Sequence, residues 1–188
     1  MDKSELLYEL GKTLSKTKAT RLAELASQEA IKLIDLWNLC YHTQRTIAFR
    51  AAWILGLMES RNPRMFSAML ALFIRRLDEQ HHTGCQREFS KILIQYTKPS
   101  ALKMRKEVFD VLPIDLKERM VEVLFEWLIK TGTPVAVQVN CMDVLFYMIP
   151  AFPWIAEELE SQIVFYPQDG SAAMQSRGRK LLAKMHKH

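Results

Sequence analysis

Apolar residues recur along the chain at the spacing of one helix face, and prolines and short polar stretches break the pattern into segments. The pattern predicts helices over about residues 3–14, 18–26, 28–40, 43–59, 63–79, 84–97, 102–110, 114–130, 134–149, 153–164 and 171–185. Asn62-Pro63 and Thr133-Pro134 each set a capping side chain before a proline, whose missing N–H costs nothing in the first helical turn. Pro113 and Pro153 are expected to open helices in the same manner, and Pro99 and Pro150 to close the preceding ones. No segment alternates strictly between apolar and polar residues with β-branched side chains, so no strand is expected.

Four of these helices carry the same apolar template at i, i+4, i+7, i+8 and i+11. The first copy is Ile47, Ala51, Ile54, Leu55 and Met58, and the second is Cys85, Phe89, Ile92, Leu93 and Tyr96. The third is Val137, Cys141, Val144, Leu145 and Met148, and the fourth is Met174, Gly178, Leu181, Leu182 and Met185. The copies are offset by 38, 52 and 37 residues. The first three follow a helix rich in large apolar residues, such as Leu36 and Trp37, Phe73 and Ile74, or Trp127 and Leu128. One helix pair cannot bury its apolar face alone, so recurring pairs stack and share a core, as in an α-solenoid. The longer middle step is assigned to a short inserted helix over about residues 98–113.

Three template segments carry a resemblance: Arg50 to Leu55 (RAAWIL), Pro134 to Val139 (PVAVQV) and Ser176 to Leu182 (SRGRKLL). They resemble the second helices of HEAT-type repeats, and their order is similar to that of small bacterial HEAT-like (ARM-type) proteins. The resemblance implies an all-α, right-handed α-α superhelix of about four helix pairs. It covers residues 28–185, with residues 1–27 as an N-terminal helical cap, all in one domain. It also implies that the second helices line a concave binding face.

Composition narrows the function. Hydrophobic residues make up 49% and charged residues 25%, with only 6 Gly, which fits a folded helical domain and excludes disorder as the main state. Lys and Arg number 26 against 21 Asp and Glu, so the net charge of +5 permits acidic partners without requiring them. Three separated cysteines without a CxxC pair fit reduced thiols, and no apolar leader follows the charged first residues. The longest uncharged run, Val144 to Ala156, is interrupted by two prolines and falls short of the roughly 20 residues of a membrane span. A cytoplasmic protein is expected. Nucleotide-binding glycine loops and the HExxH, GxSxG and EF-hand motifs are missing, so neither a cofactor nor a catalytic group is expected.

Two constellations remain. Cys40 and His42 fall in one inter-helix turn, and His81, His82 and Cys85 in the equivalent turn of the next repeat, where stacking sets them side by side. A two-Cys, two-His zinc site is conceivable there. Against it, Cys85 takes a core position of the template, so no metal is expected. The second constellation is the ridge opposite the template face. It reads Arg50, Trp53 and Leu57; Glu88, Lys91 and Gln95; Asn140, Asp143 and Tyr147; and Arg177, Lys180 and Lys184, with Arg87, Arg179 and Lys187 widening its basic end. Trp, Tyr and Arg are enriched at interface hot spots. The same residues also suit packing between repeats, and both readings stand at this point.

The ridge leads to a non-catalytic scaffold or adaptor that binds a partner protein on the concave face. Arg50→Glu with Trp53→Ala is then expected to abolish capture while leaving the melting temperature unchanged. The alternative is nucleic-acid binding, by similarity to HEAT-like DNA alkylation-repair glycosylases. That family needs an acid beside aromatics in its groove, and Asp143 near Trp53 and Tyr147 is the candidate here. Glu88 and Asp143 speak against it, since they set negative charge where phosphates would pass.

Overall fold

The apolar template is met position by position. All fifteen template positions of its first three copies are buried, and in the fourth Met174, Gly178 and Leu181 are, while Leu182 and Met185 are half-buried at the end of the row. The computed structural model describes residues 1–165 and 171–186, which form twelve α-helices and no strands.

The helices are α1 (Lys3–Gly11), α2 (Lys16–Ser27), α3 (Leu33–Leu39), α4 (Arg45–Arg61), α5 (Pro63–Ser67) and α6 (Leu70–Arg75). They continue with α7 (Thr83–Thr97), α8 (Lys103–Asp110), α9 (Ile114–Ile129), α10 (Val135–Met148), α11 (Ile155–Phe165) and α12 (Ala172–Met185). Helices α2, α4, α7, α10 and α12 form one row in which each packs on the next. A second layer backs that row: α3 lies on α4, α9 on α10 and α6, and α11 on α10 and α12. Helix α1 rests on α3 and α4, and α8 sits against α5 and α7. The core runs along the seam between the layers, where Trp37, Phe66, Phe73, Phe89 and Tyr96 are fully enclosed. Where α12 meets α11 the fit is close: a Cβ on Gly178 would stand 2.7 Å from the Ile163 Cγ2 atom, so only glycine seats α12 on α11 without displacing Ile163.

Local signals set several helix ends, among them the expected Asn62-Pro63. Asp2 and Glu5 close a capping box on α1, and Ser15 caps α2. Asn62 accepts from the Met65 N–H with Pro63 in the first turn of α5. Other ends differ. The helix expected over 63–79 is two short helices, since the backbone leaves helical geometry at Met69 (φ −108°, ψ 3°). The break turns the Phe66 and Phe73 rings edge to face at 5.3 Å. The helix expected from residue 28 begins at Leu33. Glu29 takes a left-handed conformation (φ 62°) and the Ala30 N–H returns to the Leu25 carbonyl, which ends α2 in a tight turn. Thr133 does not cap α10, whose first turn is preceded by Pro134 without a side-chain cap. Phe152 is buried as its turn requires, but Trp154 stays 45% exposed, stacked on Phe125.

Candidate functional site: the second-helix ridge

The twelve ridge residues fall on α4, α7, α10 and α12 of the row, at the joints between successive helices. Several of them clasp those joints. The Arg50 guanidinium donates to the carbonyls of Leu10 and Lys12, both at 2.6 Å, and so satisfies the end of α1. Asn140 on α10 donates to the Ser90 hydroxyl at 3.0 Å and the Arg87 carbonyl at 3.4 Å on α7. Arg177 on α12 pairs with Asp143 on α10, and this contact raises the pKa of its guanidinium further. Two expectations are corrected by this geometry. Glu88 and Asp143 lie on the ridge but are buried, at 6% and 8% exposure, because α4 stands against the Glu88 carboxylate at Gly56 and Arg177 of α12 covers Asp143. Arg50 anchors α1, so Arg50→Glu is now expected to lower the melting temperature rather than to leave it unchanged.

Other ridge residues face outward. Lys91, Lys180 and Lys184 are exposed, and Trp53, Leu57, Gln95 and Tyr147 are half-buried. Trp53 stacks on Phe49 with ring centroids 6.4 Å apart, and Lys184 lies 5.8 Å over the Phe146 ring. Lys187 lies outside the described residues. Two hollows open along this face. One, of about 190 Å³, lies between α4 and α7 and is walled by Trp53, Leu57, Glu59, Glu88, Lys91 and Gln95, among others. The other, of about 250 Å³, is mostly apolar and is bounded by Pro99, Phe146, Tyr147, Ile149, Pro150 and Lys184, among others. Five of the twelve ridge residues thus meet at one hollow and two at the other.

Glu59 was not among the ridge candidates. Its carboxylate is 1% exposed and accepts from Arg105 Nε of α8 at 2.7 Å. Arg105 also lies over the Tyr96 ring, whose hydroxyl is 3.2 Å from that of Ser67. Burial pushes the Glu59 carboxyl above its usual range, and the guanidinium pulls it partly back. A basic run such as Lys103, Arg105 and Lys106, interleaved with acids, reads in the sequence as a solvated face, but its middle residue is 7% exposed. The signal was present. Glu59 stands four residues after the buried Leu55, and Arg105 four before the buried Phe109, so each occupies the core face of its helix.

The two cysteine- and histidine-bearing turns do meet. Gln80 donates to the Cys40 carbonyl at 3.0 Å, the Cys85 thiol approaches the same carbonyl at 3.6 Å, and His82 Nε2 lies 3.2 Å from the His42 carbonyl. These contacts run to backbone oxygens. Among the described residues no three His, Cys, Asp or Glu side chains converge to hold a metal ion. All three cysteines are free and buried; burial raises the thiol pKa of Cys40 and Cys141 and pushes that of Cys85 up to about 12. We therefore expect a chromogenic disulfide reagent at pH 8 to find no reactive thiol in the folded protein and three in guanidinium chloride. Rapid reaction of a thiol in the native state would contradict this burial.

A row of second helices backed by a layer of first helices, with clasps at its joints, defines an α-helical repeat solenoid. The HEAT repeat domain model matches residues 6–185, and the chain belongs to that family. A search of curated proteins finds no match to the chain. Among the described residues no helix is long and apolar enough to cross a membrane.

Proposed function

We propose that this HEAT repeat domain is a cytoplasmic, non-catalytic scaffold or adaptor that holds a partner protein against its second-helix ridge. The observation that carries this reading is the gathering of Trp53, Leu57, Glu88, Lys91 and Gln95 around one hollow. A half-buried indole beside charged and amide groups is the make-up of an interface anchor. The residues at the joints keep the ridge rigid, so little ordering entropy is lost when a partner docks. The nucleic-acid reading has less support, because its candidate acid, Asp143, is buried and engaged by Arg177.

The test compares lysate proteins captured, after nuclease treatment, by the wild type and by the triple variant Trp53→Ala, Leu57→Ala and Gln95→Ala. All three side chains are half-buried, so the variant is expected to keep its helical circular dichroism. A partner held by the wild type is expected to be held at least about tenfold more weakly by the variant, the size of one hot-spot loss. Equal retention by both proteins, or capture of nucleic acid alone, would overturn the reading.

A further inference from the structure

We propose that the hollow between α4 and α7 is a subsite for a single arginine side chain of the partner protein, a refinement that rests on the scaffold reading above. At about 190 Å³ the hollow is smaller than the roughly 300–1,000 Å³ of pockets that hold drug-sized molecules, and its scale is that of one side chain. Its ionisable walls are Glu59, Glu88 and Lys91; Glu59 is taken up by the buried Arg105, which leaves Glu88 as the carboxylate whose cation stands toward solvent. An anion entering would meet two carboxylates. A metal ion would lack a third ligand among the described residues.

Glu88 is the recognition group. Its carboxylate is 6% exposed, yet its cation is Lys91 of the same helix, three residues on, with a side chain that is 48% exposed. The ammonium reaches the two oxygens at 3.1 and 2.9 Å from the water side. Lys91 holds its place from solvent, so a second cation arriving at the hollow can replace it while the buried carboxylate stays paired throughout. A guanidinium offers the carboxylate two parallel N–H donors, which a single ammonium cannot. Trp53 supplies a planar face on which a guanidinium and its methylene stem can lie. The protein already makes this arrangement once, next door: Arg105 donates to Glu59 while its guanidinium lies 5.8 Å over the Tyr96 ring. The partner's arginine repeats that motif with Glu88 and Trp53.

The probe is the capped tripeptide acetyl-Gly-Arg-Gly-amide, with its citrulline analogue as the neutral isostere. The readout is the indole N–H signal of Trp53 in a proton–nitrogen correlation spectrum, assigned by its loss in Trp53→Phe. The arginine peptide is expected to shift this signal saturably, and the citrulline peptide to bind at least about tenfold more weakly, as loss of a charged hydrogen bond implies. Lys91→Ala, which removes the competing cation from an exposed position, is expected to tighten arginine binding up to about fivefold. Glu88→Gln is expected to weaken it at least about tenfold. Absence of a saturable shift at millimolar peptide in both wild type and Lys91→Ala overturns the proposal, and so does equal binding of arginine and citrulline. Either failure leaves the capture comparison of the triple variant untouched, because that comparison does not depend on the ligand's charge. Conversely, arginine binding with unchanged capture would remove the scaffold reading while the subsite stood.

Discussion

Arg105→Ala is expected to lower the unfolding free energy by about 3–5 kcal/mol, read as a shift of the urea midpoint at unchanged slope. The guanidinium and the Glu59 carboxylate are 7% and 1% exposed, so removing the cation leaves a carboxylate enclosed without its partner. The double replacement Glu59→Leu with Arg105→Met tests the cause. It removes both charges and fills similar volume, and is expected to lie within about 1–2 kcal/mol of the wild type. A double variant as unstable as Arg105→Ala would show that shape, not charge, holds α8 in place. Acidity gives an independent check. Burial raises the folded-state pKa of Glu59 above its ordinary value of 4.5. The folded form therefore binds the proton more tightly, and this group's contribution is fully present below about 4.5 and is lost as pH rises through the folded value. Without Arg105 to pull it back the folded value rises further. The deficit of Arg105→Ala is expected to narrow toward pH 5 and to widen toward pH 7.

Phe89→Ala is expected to cost a similar amount, about 3–5 kcal/mol, by a different mechanism. Phe89 is fully buried on α7, and its ring lies 4.7 Å from that of Phe73 on α6 and 6.1 Å from that of Tyr41 beyond α3. It thus joins the second-helix row to two elements of the backing layer at once. Neither neighbour can close the gap alone: Phe73 is itself wedged against Phe66, and the Tyr41 hydroxyl is held by the Arg76 carbonyl at 2.9 Å. The loss is expected to be independent of pH between 5 and 7, unlike that of Arg105→Ala. Urea titrations of both variants at the two pH values separate the causes.

Both sites show what a single sequence discloses. Phe89 was legible because it falls on a template repeated four times, and a face that recurs at i, i+4, i+7, i+8 and i+11 admits few other readings. The helix pairs and their order followed from the same periodicity. The Glu59–Arg105 pair was not read, although its positions carry the right phase. Charged residues on a core face look like solvated ones until the partner, here 46 residues away, is known to stand opposite. The ridge was half legible for the same reason. Helical phase placed Glu88 and Asp143 opposite the template face, but their burial depends on how closely a neighbouring helix approaches, and Gly56 and Arg177 decide that from other parts of the chain. The break at Met69 escaped because no proline or glycine marks it in the sequence.

The Arg50 clasp makes the end of α1 depend on a distant part of the chain. Helix α1 has a complete local start signal in Asp2 and Glu5 but no basic residue in its last turn. Two of the carbonyls at its end are satisfied by a guanidinium about forty residues downstream. That end is completed only where α4 lies beside it, so α1 cut off from α4 would keep two carbonyls that water alone could satisfy.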